Sequence, residues 1–214
     1  MNPTAVICDF GGVLTNPLMV AFLAFQDQTG ISLEQLGNAM NAAEAESGAQ
    51  PLFELEKGTM SEKDFIATLT RHLEPELGHH PEMHRFGEIY FDALEPNQPM
   101  IDLMAEARRR GHRMAMLTNN VREWDPLWRP MLPVDDIFEF VVNSGYTGMR
   151  KPDPEIYYLT LEGFGGTVAS DECLFIDDTD VNCATARSLG MQTVHFEDND
   201  QAIEDIEQAL GWTD

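Results

Sequence analysis

Four short segments place chemically capable side chains where the chain leaves an apolar run. Asp9 ends TAVICD and is followed by Gly11-Gly12; Thr118-Asn119-Asn120 close RMAMLT; Arg150-Lys151-Pro152 follow the run at 138–143; Asp177-Asp178 close ECLFID. Together they offer a carboxylate nucleophile, a hydroxyl and an amide able to hold phosphoryl oxygens, an ammonium, and a carboxylate pair suited to a hard divalent cation. Singly, each has an ordinary structural explanation. Asp9 could cap a loop, Asn119 and Asn120 could turn the chain, Lys151 could be solvated, and Asp177-Asp178 could cap a helix. Their recurrence at successive segment ends favours phosphoryl chemistry.

The elements that must position these groups follow from the apolar pattern. Residues 4–9, 113–118, 138–143, 172–177 and 191–196 read as short buried strands, and 98–110, 154–163, 180–189 and 199–210 as helices. Strands alternating with helices predict an α/β fold, a Rossmann-like parallel sheet core covered on both faces. In such sheets ligands bind at the carboxyl ends of the strands, where all four segments fall. More than one crossover helix must lie between Asp9 and residue 113. Apolar residues recur there at helical spacing in four groups: Leu18, Phe22 and Phe25; Leu33, Leu36, Met40 and Ala43; Phe65, Leu69 and Leu73; Met83, Phe86, Tyr90 and Leu94. Ser61 with Asp64 resembles a helix start, whereas Gln50-Pro51, Gly58-Thr59 and the 78–81 stretch suit connections. The expected organisation is a core of residues 1–15 and 96–214 with a four-helix bundle inserted at 16–95.

The 37 acidic residues outnumber the 13 basic ones among 214, for a formal charge of −24. Long-range attraction to nucleic acid or to an anionic membrane surface is thereby disfavoured. An anionic substrate would need a cation at the site to reverse the potential locally. Cys8, Cys173 and Cys183 are odd in number and lack metal-ligand spacing, so they read as small buried residues in a reducing compartment. No apolar stretch approaches the ~18 residues of a membrane span, and the N-terminus lacks the pattern of a secretory signal. A cytoplasmic protein, monomer or homodimer, is the expectation.

The segments ICDFGGVLT, MLTNN, RKPDPEIY and LFIDDTDVNCATARSLGM resemble, in order and spacing, the four motifs of the haloacid dehalogenase-like (HAD) hydrolases. The helical insertion resembles the cap of the branch containing the phosphatase domain of soluble epoxide hydrolase and bacterial sugar-phosphate phosphatases. The resemblance covers nearly the whole chain. It implies Asp9 as a nucleophile that becomes an aspartyl-phosphate, with the Gly11 carbonyl, Asp9, Asp177 and Asp178 around Mg2+. It implies Thr118 and Asn119 as holders of the phosphoryl oxygens and Lys151 as the neutralising cation. It also implies a small phosphorylated metabolite as substrate, sugar phosphates and similar monoesters foremost. One departure stands out: Gly11 occupies the place where typical phosphatases of the family carry an aspartate that protonates the leaving group. Thr15, Asn16, a cap side chain or the substrate could compensate. The same departure keeps two alternatives open, a metal-independent dehalogenase and a weakly active or non-catalytic phosphate-binding relative. The adjacent Asp177-Asp178 favours the metal, since their repulsion needs a cation.

Arg122, just past the second motif, could bind substrate phosphate or form a surface ion pair. Asn182 could orient the metal-binding loop or sit on a helix surface. Arg108, Arg109 and Arg110 precede Gly111 and read as dipole compensation at a helix end. His72, His79, His80 and His84 read as a solvated turn, and Trp124 and Trp128 as packing. The residues Met19, Phe22 and Phe25 belong mostly to the bundle interior, with some able to line a substrate pocket.

Overall fold

A computed structural model describes residues 2–212. Five strands, β1 (Ala5–Cys8), β2 (Arg113–Thr118), β3 (Phe140–Asn143), β4 (Cys173–Asp177) and β5 (Gln192–His195), form one sheet of order β3-β2-β1-β4-β5. Every pairing is parallel. β1 is central, its four residues AVIC wholly buried, as a strand covered on both faces requires. Alternate residues feed two separate cores. Val6, Cys8, Met114, Met116, Leu174 and Ile176 point to one, where α6 (Gln98–Arg109) and α11 (Asn199–Leu210) pack. Ala5, Ile7, Ala115, Leu117 and Phe175 point to the other, against α9 (Pro154–Gly163) and α10 (Asp180–Ser188).

Register aligns the chemistry. Cys8 is level with Met116 on one side and Ile176 on the other, and the Asp9 amide donates to the Ile176 carbonyl at 2.9 Å. Asp9, Thr118 and Asp177 therefore emerge together at the carboxyl edge. The strand order reverses at β1, so the crevice of a doubly wound sheet opens there.

Between β1 and α6 lie five helices, not the four expected: α1 (Met19–Thr29), α2 (Leu33–Ser47), α3 (Pro51–Glu56), α4 (Glu62–Leu77) and α5 (Phe86–Asp92). Gln50-Pro51 is no plain connection. The Gln50 side chain accepts from the Leu52 amide at 2.7 Å and Pro51 occupies the first turn, so this pair starts α3. At six residues α3 is too short for periodicity to reveal. Ser61 caps α4 as expected, accepting from the Asp64 amide at 3.1 Å. Met83 and Leu94 fall just outside α5, though both are buried. Between β2 and β3 the chain adds two four-residue helices, α7 (Asp125–Trp128), where the four-residue spacing of Trp124 and Trp128 suits one face of a short helix, and α8 (Val134–Ile137), which the sequence pattern leaves unmarked.

The chain enters and leaves the five helices side by side. The Asn16 amide donates to the Glu95 carbonyl at 2.9 Å, the Asn16 Oδ1 accepts from the Glu95 amide at 3.1 Å, and Thr15 bridges Pro96. The helices share the sheet's first core through Phe10, Phe25, Phe65 and Phe86. No described helix is long and apolar enough to cross a membrane.

Candidate active site

Asp9 follows β1, where the chain turns sharply, and it is nearly buried. Its Oδ1 accepts from the Phe10 amide at 2.7 Å and from the Lys151 ammonium at 2.8 Å. Its Oδ2 carries no hydrogen bond among the described residues. No fully buried side-chain oxygen there lacks a partner, so Oδ2 faces open space. Burial, abetted by Asp177 and Asp178, pushes the Asp9 carboxyl well above the carboxylate range, with Lys151 opposing.

Lys151, 1% exposed, is the hub. Its Nζ also donates to Asp177 Oδ2 at 2.6 Å. Burial alone would discharge it, but the two carboxylates outweigh burial and hold its pKa above the ordinary lysine value. Asn119 fixes the lysine's backbone from both sides: its Oδ1 accepts from the Lys151 amide at 2.8 Å and its Nδ2 donates to the Lys151 carbonyl at 2.9 Å. Asn119 thus anchors Lys151, with one amide proton left for a ligand. Thr118, the last residue of β2, is 1% exposed and borders the adjoining cavity, its hydroxyl unengaged among the described residues.

Asp177 is completely buried and heavily bonded. Besides Lys151 it accepts from the Thr179 amide and from Asn182 Nδ2, each at 2.9 Å to Oδ1. Asn182 is itself buried in the first turns of α10, and the Tyr157 hydroxyl donates to its carbonyl at 3.0 Å. Its side chain thus contacts Asp177 rather than solvent. Asp178 is half-buried and looser, held by the Thr179 hydroxyl at 3.2 Å; burial, then the Asp177 charge, raises its pKa. Gly12, at φ 77°, lies so close that a Cβ there would overlap the Asp178 carboxylate, so glycine serves both the turn and the approach.

Ligand atoms of Asp9, Asp177 and Asp178 lie within 4.8 Å of one another. Three carboxylates against one ammonium leave two negative charges uncompensated, and all the donors are hard oxygens. Such a set fits Mg2+. Gly11 borders the same space.

Other expectations fare differently. Arg122 is exposed, pairs with Glu123 at 3.4 Å, the surface ion pair that was one of its two readings, and lines neither cavity of the crevice. Thr15 donates to the Asn16 carbonyl at 2.9 Å and accepts from the Gly12 amide at 3.0 Å; Asn16 is committed to Glu95 and Ala93. Neither is free to replace the absent aspartate. A Cβ at Gly11 would meet the Leu18 methyls at 3.1 Å, so the usual place of the acid is walled by a hydrocarbon. Arg108 pairs with Glu139, and Arg109 and Arg110 pair with Glu106. His72, His80 and His84 each face a different glutamate, Glu46, Glu74 and Glu82. All three cysteines are buried and free.

The sequence reading missed Glu56. At the end of α3 it pairs with Arg150 at 2.8 Å, its carbonyl accepts from the Ser144 hydroxyl at 2.5 Å, and burial raises its pKa. Its helix was too short to notice. Glu56, Gly11, Leu18 and Asn119 form the shared wall between two cavities. One, about 430 Å³, contains Asp9, Lys151 and Asp178; the other, about 200 Å³, runs beneath the helices and is bordered by Thr118.

The family model for haloacid dehalogenase-like hydrolase matches residues 3–190. Rat bifunctional epoxide hydrolase 2 is 30% identical over 141 residues, a match covering 61% of this chain but only 24% of that protein's length. A sesquiterpene phosphatase of Aspergillus oryzae is 27% identical over 217 residues, covering 97% of this chain and 96% of its own. Among solved structures, a HAD-family enzyme of Bacteroides thetaiotaomicron in complex with magnesium and inorganic phosphate superposes with a TM-score of 0.66 at 22% identity, covering 91% of this chain and 94% of the other.

Proposed function

Since the chain belongs to the haloacid dehalogenase-like hydrolases, we propose that it is a magnesium-dependent phosphatase acting on a small phosphorylated metabolite through an aspartyl-phosphate on Asp9. The observation that carries this reading is the Asp9–Lys151–Asp177 chain of 2.8 and 2.6 Å ion pairs beside Asp178. Lys151 and the backbone amide of Phe10 hold Asp9 Oδ1, which leaves Oδ2 to attack phosphorus. The phosphorus–oxygen bond to the alcohol breaks as the new one forms, and the departing alkoxide takes its proton from water. Thr118 and the remaining Asn119 proton steady the equatorial oxygens, and Lys151 offsets the charge that gathers there. Mg2+ held by Asp9, Asp178, the Gly11 carbonyl and, directly or through water, Asp177 would supply further charge neutralisation. Water then cleaves the acyl phosphate. The helices α1–α5, with residues 16–95, act as the cap that excludes bulk water.

The dehalogenase alternative gains from Leu18 standing where the acid would be, since halide departure needs no proton. It leaves the two surplus negative charges unexplained, and phosphoryl chemistry is preferred. The test is phosphate release from a panel of esters including 4-nitrophenyl phosphate, with magnesium, with chelator, and with Asp9→Asn. Release is expected only from the wild type with magnesium, the variant falling by on the order of 10⁴-fold or more. Robust release that survives both chelator and the substitution defeats the reading.

A further inference from the structure

We propose that the second cavity is the leaving-group subsite and that it selects phosphate monoesters of compact apolar alcohols over sugar phosphates. The inference rests on the phosphatase reading and names the substrate class for the same site. The position is the first argument. The cavity is bordered by Thr118 and Asn119 and adjoins the Asp9 crevice across the wall of Gly11, Leu18, Glu56 and Asn119. A monoester whose phosphorus faces Asp9 Oδ2 thus has this space beside it to receive the alcohol portion.

The walls are the second argument. Phe22, Met40 and Leu52 come from α1, α2 and α3; Phe86 and Phe91 come from α5; Trp124 comes from the segment after β2. The aromatic rings pack into one rigid lattice: Tyr90 stacks on Trp124 at 5.6 Å, and Phe22 meets Tyr90 edge-on at 5.3 Å. Glu56 is the one charged side chain lining this cavity among the described residues, and Arg150 holds it.

The third argument is that the polar groups are few and several of them are already engaged. The Trp124 Nε1 donates to Glu62 at 2.8 Å, Asn120 Oδ1 accepts from the Val121 amide at 2.8 Å, and Asn119 grips Lys151. The Tyr90 and Thr118 hydroxyls, the Asn120 Nδ2 and one Asn119 proton remain, a small polar share of a mainly hydrocarbon wall. A sugar would bring several hydroxyls into this chamber and leave most unpaired, each weakening binding about tenfold or more. Hydrocarbon gains there, by about fourfold for each methylene buried. The volume of about 200 Å³ equals the liquid share of roughly seven waters, which suits a short branched chain or a single ring.

The experiment uses the wild-type protein with magnesium. n-Alkyl monophosphates from ethyl to octyl compete against hydrolysis of 4-nitrophenyl phosphate, alongside glycerol phosphate and glucose 6-phosphate. The inhibition constant is expected to fall about fourfold per methylene, some 200-fold from ethyl to hexyl, and to level off once the chamber is full. The two polyol phosphates should bind at least tenfold more weakly than hexyl phosphate. Leu52→Trp, which narrows the chamber, should bring the plateau to shorter chains. A constant flat within about threefold along the series, or a sugar phosphate that outcompetes hexyl phosphate, overturns the proposal while the phosphatase reading stands. Absence of any 4-nitrophenyl phosphate turnover with magnesium defeats the phosphatase reading itself.

Discussion

The two cavities that meet at Glu56 are built on opposite physics. The Asp9 crevice gathers three carboxylates and an ammonium, with Lys151 joined to Asp9 and Asp177 by short charged hydrogen bonds at the carboxyl edge of the sheet. The neighbouring chamber is walled mainly by aromatic and aliphatic side chains from all five inserted helices and the segments after β1 and β2, with few polar atoms. The first stores an electrostatic cost that a divalent cation would relieve. The second offers burial without direction, so it can reward size and polarity in a ligand but not stereochemical detail. The difference teaches that reactivity and selectivity reside in different parts of the chain, the sheet edge and the inserted helices, and should respond separately to substitution.

The sharpest way to break this contrast is to remove its hub. Lys151→Met keeps the volume but leaves Asp9 and Asp177 facing each other in a buried place, so urea denaturation should show a loss of about 3–5 kcal/mol. A loss below about 1 kcal/mol would mean that the ion pairs are not what holds the polar pocket. Next comes the cation. At a magnesium concentration one hundred times its dissociation constant the wild type should gain about 2.7 kcal/mol, seen as a raised melting temperature. Asp178→Asn, leaving its neighbours intact, should abolish most of that gain. An undiminished shift would place the ion elsewhere.

The smallest effect is expected from the chamber. Leu52 is half-buried on α3, so Leu52→Ala should cost less than the about 2–5 kcal/mol of a fully buried leucine and should extend the alkyl chain length at which binding levels off. A larger stability loss with no change in chain-length preference would assign Leu52 to the bundle interior and blur the distinction between the two regions.

The polar half was the more legible in the sequence. Strands have a period of two and end in turns, so TAVICD, RMAMLT and ECLFID announced both their burial and the residues at their ends. Parallel register then brought Asp9, Thr118 and Asp177 to one edge with no further information. Spacing could not say what each side chain holds. Asn119 carries the groups to bind an anion, yet the structure turns them onto the Lys151 backbone, because that loop lies within reach only after β2 and the segment following β3 are assembled. Arg122 was the reverse case, a guanidinium close in sequence to the site but on the outer side of a helical turn.

The apolar half was nearly silent. Phe22 could be read as pocket or bundle interior and Met40 and Trp124 as ordinary core, since a chamber wall and a packed interior demand the same side chains. Only the packing of α1, α2, α3 and α5 leaves a space between them. Glu56 escaped notice for a related reason: α3 is one and a half turns long, and the value of its last residue lies in Arg150, 94 positions away.

The central claim is that Asp9 attacks phosphorus. Acid quench of the magnesium-loaded enzyme during turnover of 4-nitrophenyl phosphate, followed by peptide mass spectrometry, reads it directly. A phosphoryl group is expected on the peptide bearing Asp9, absent with chelator and absent in Asp9→Asn. Phosphoryl on another residue, or steady phosphate release without any covalent adduct under conditions where an acyl phosphate survives quenching, would contradict the account.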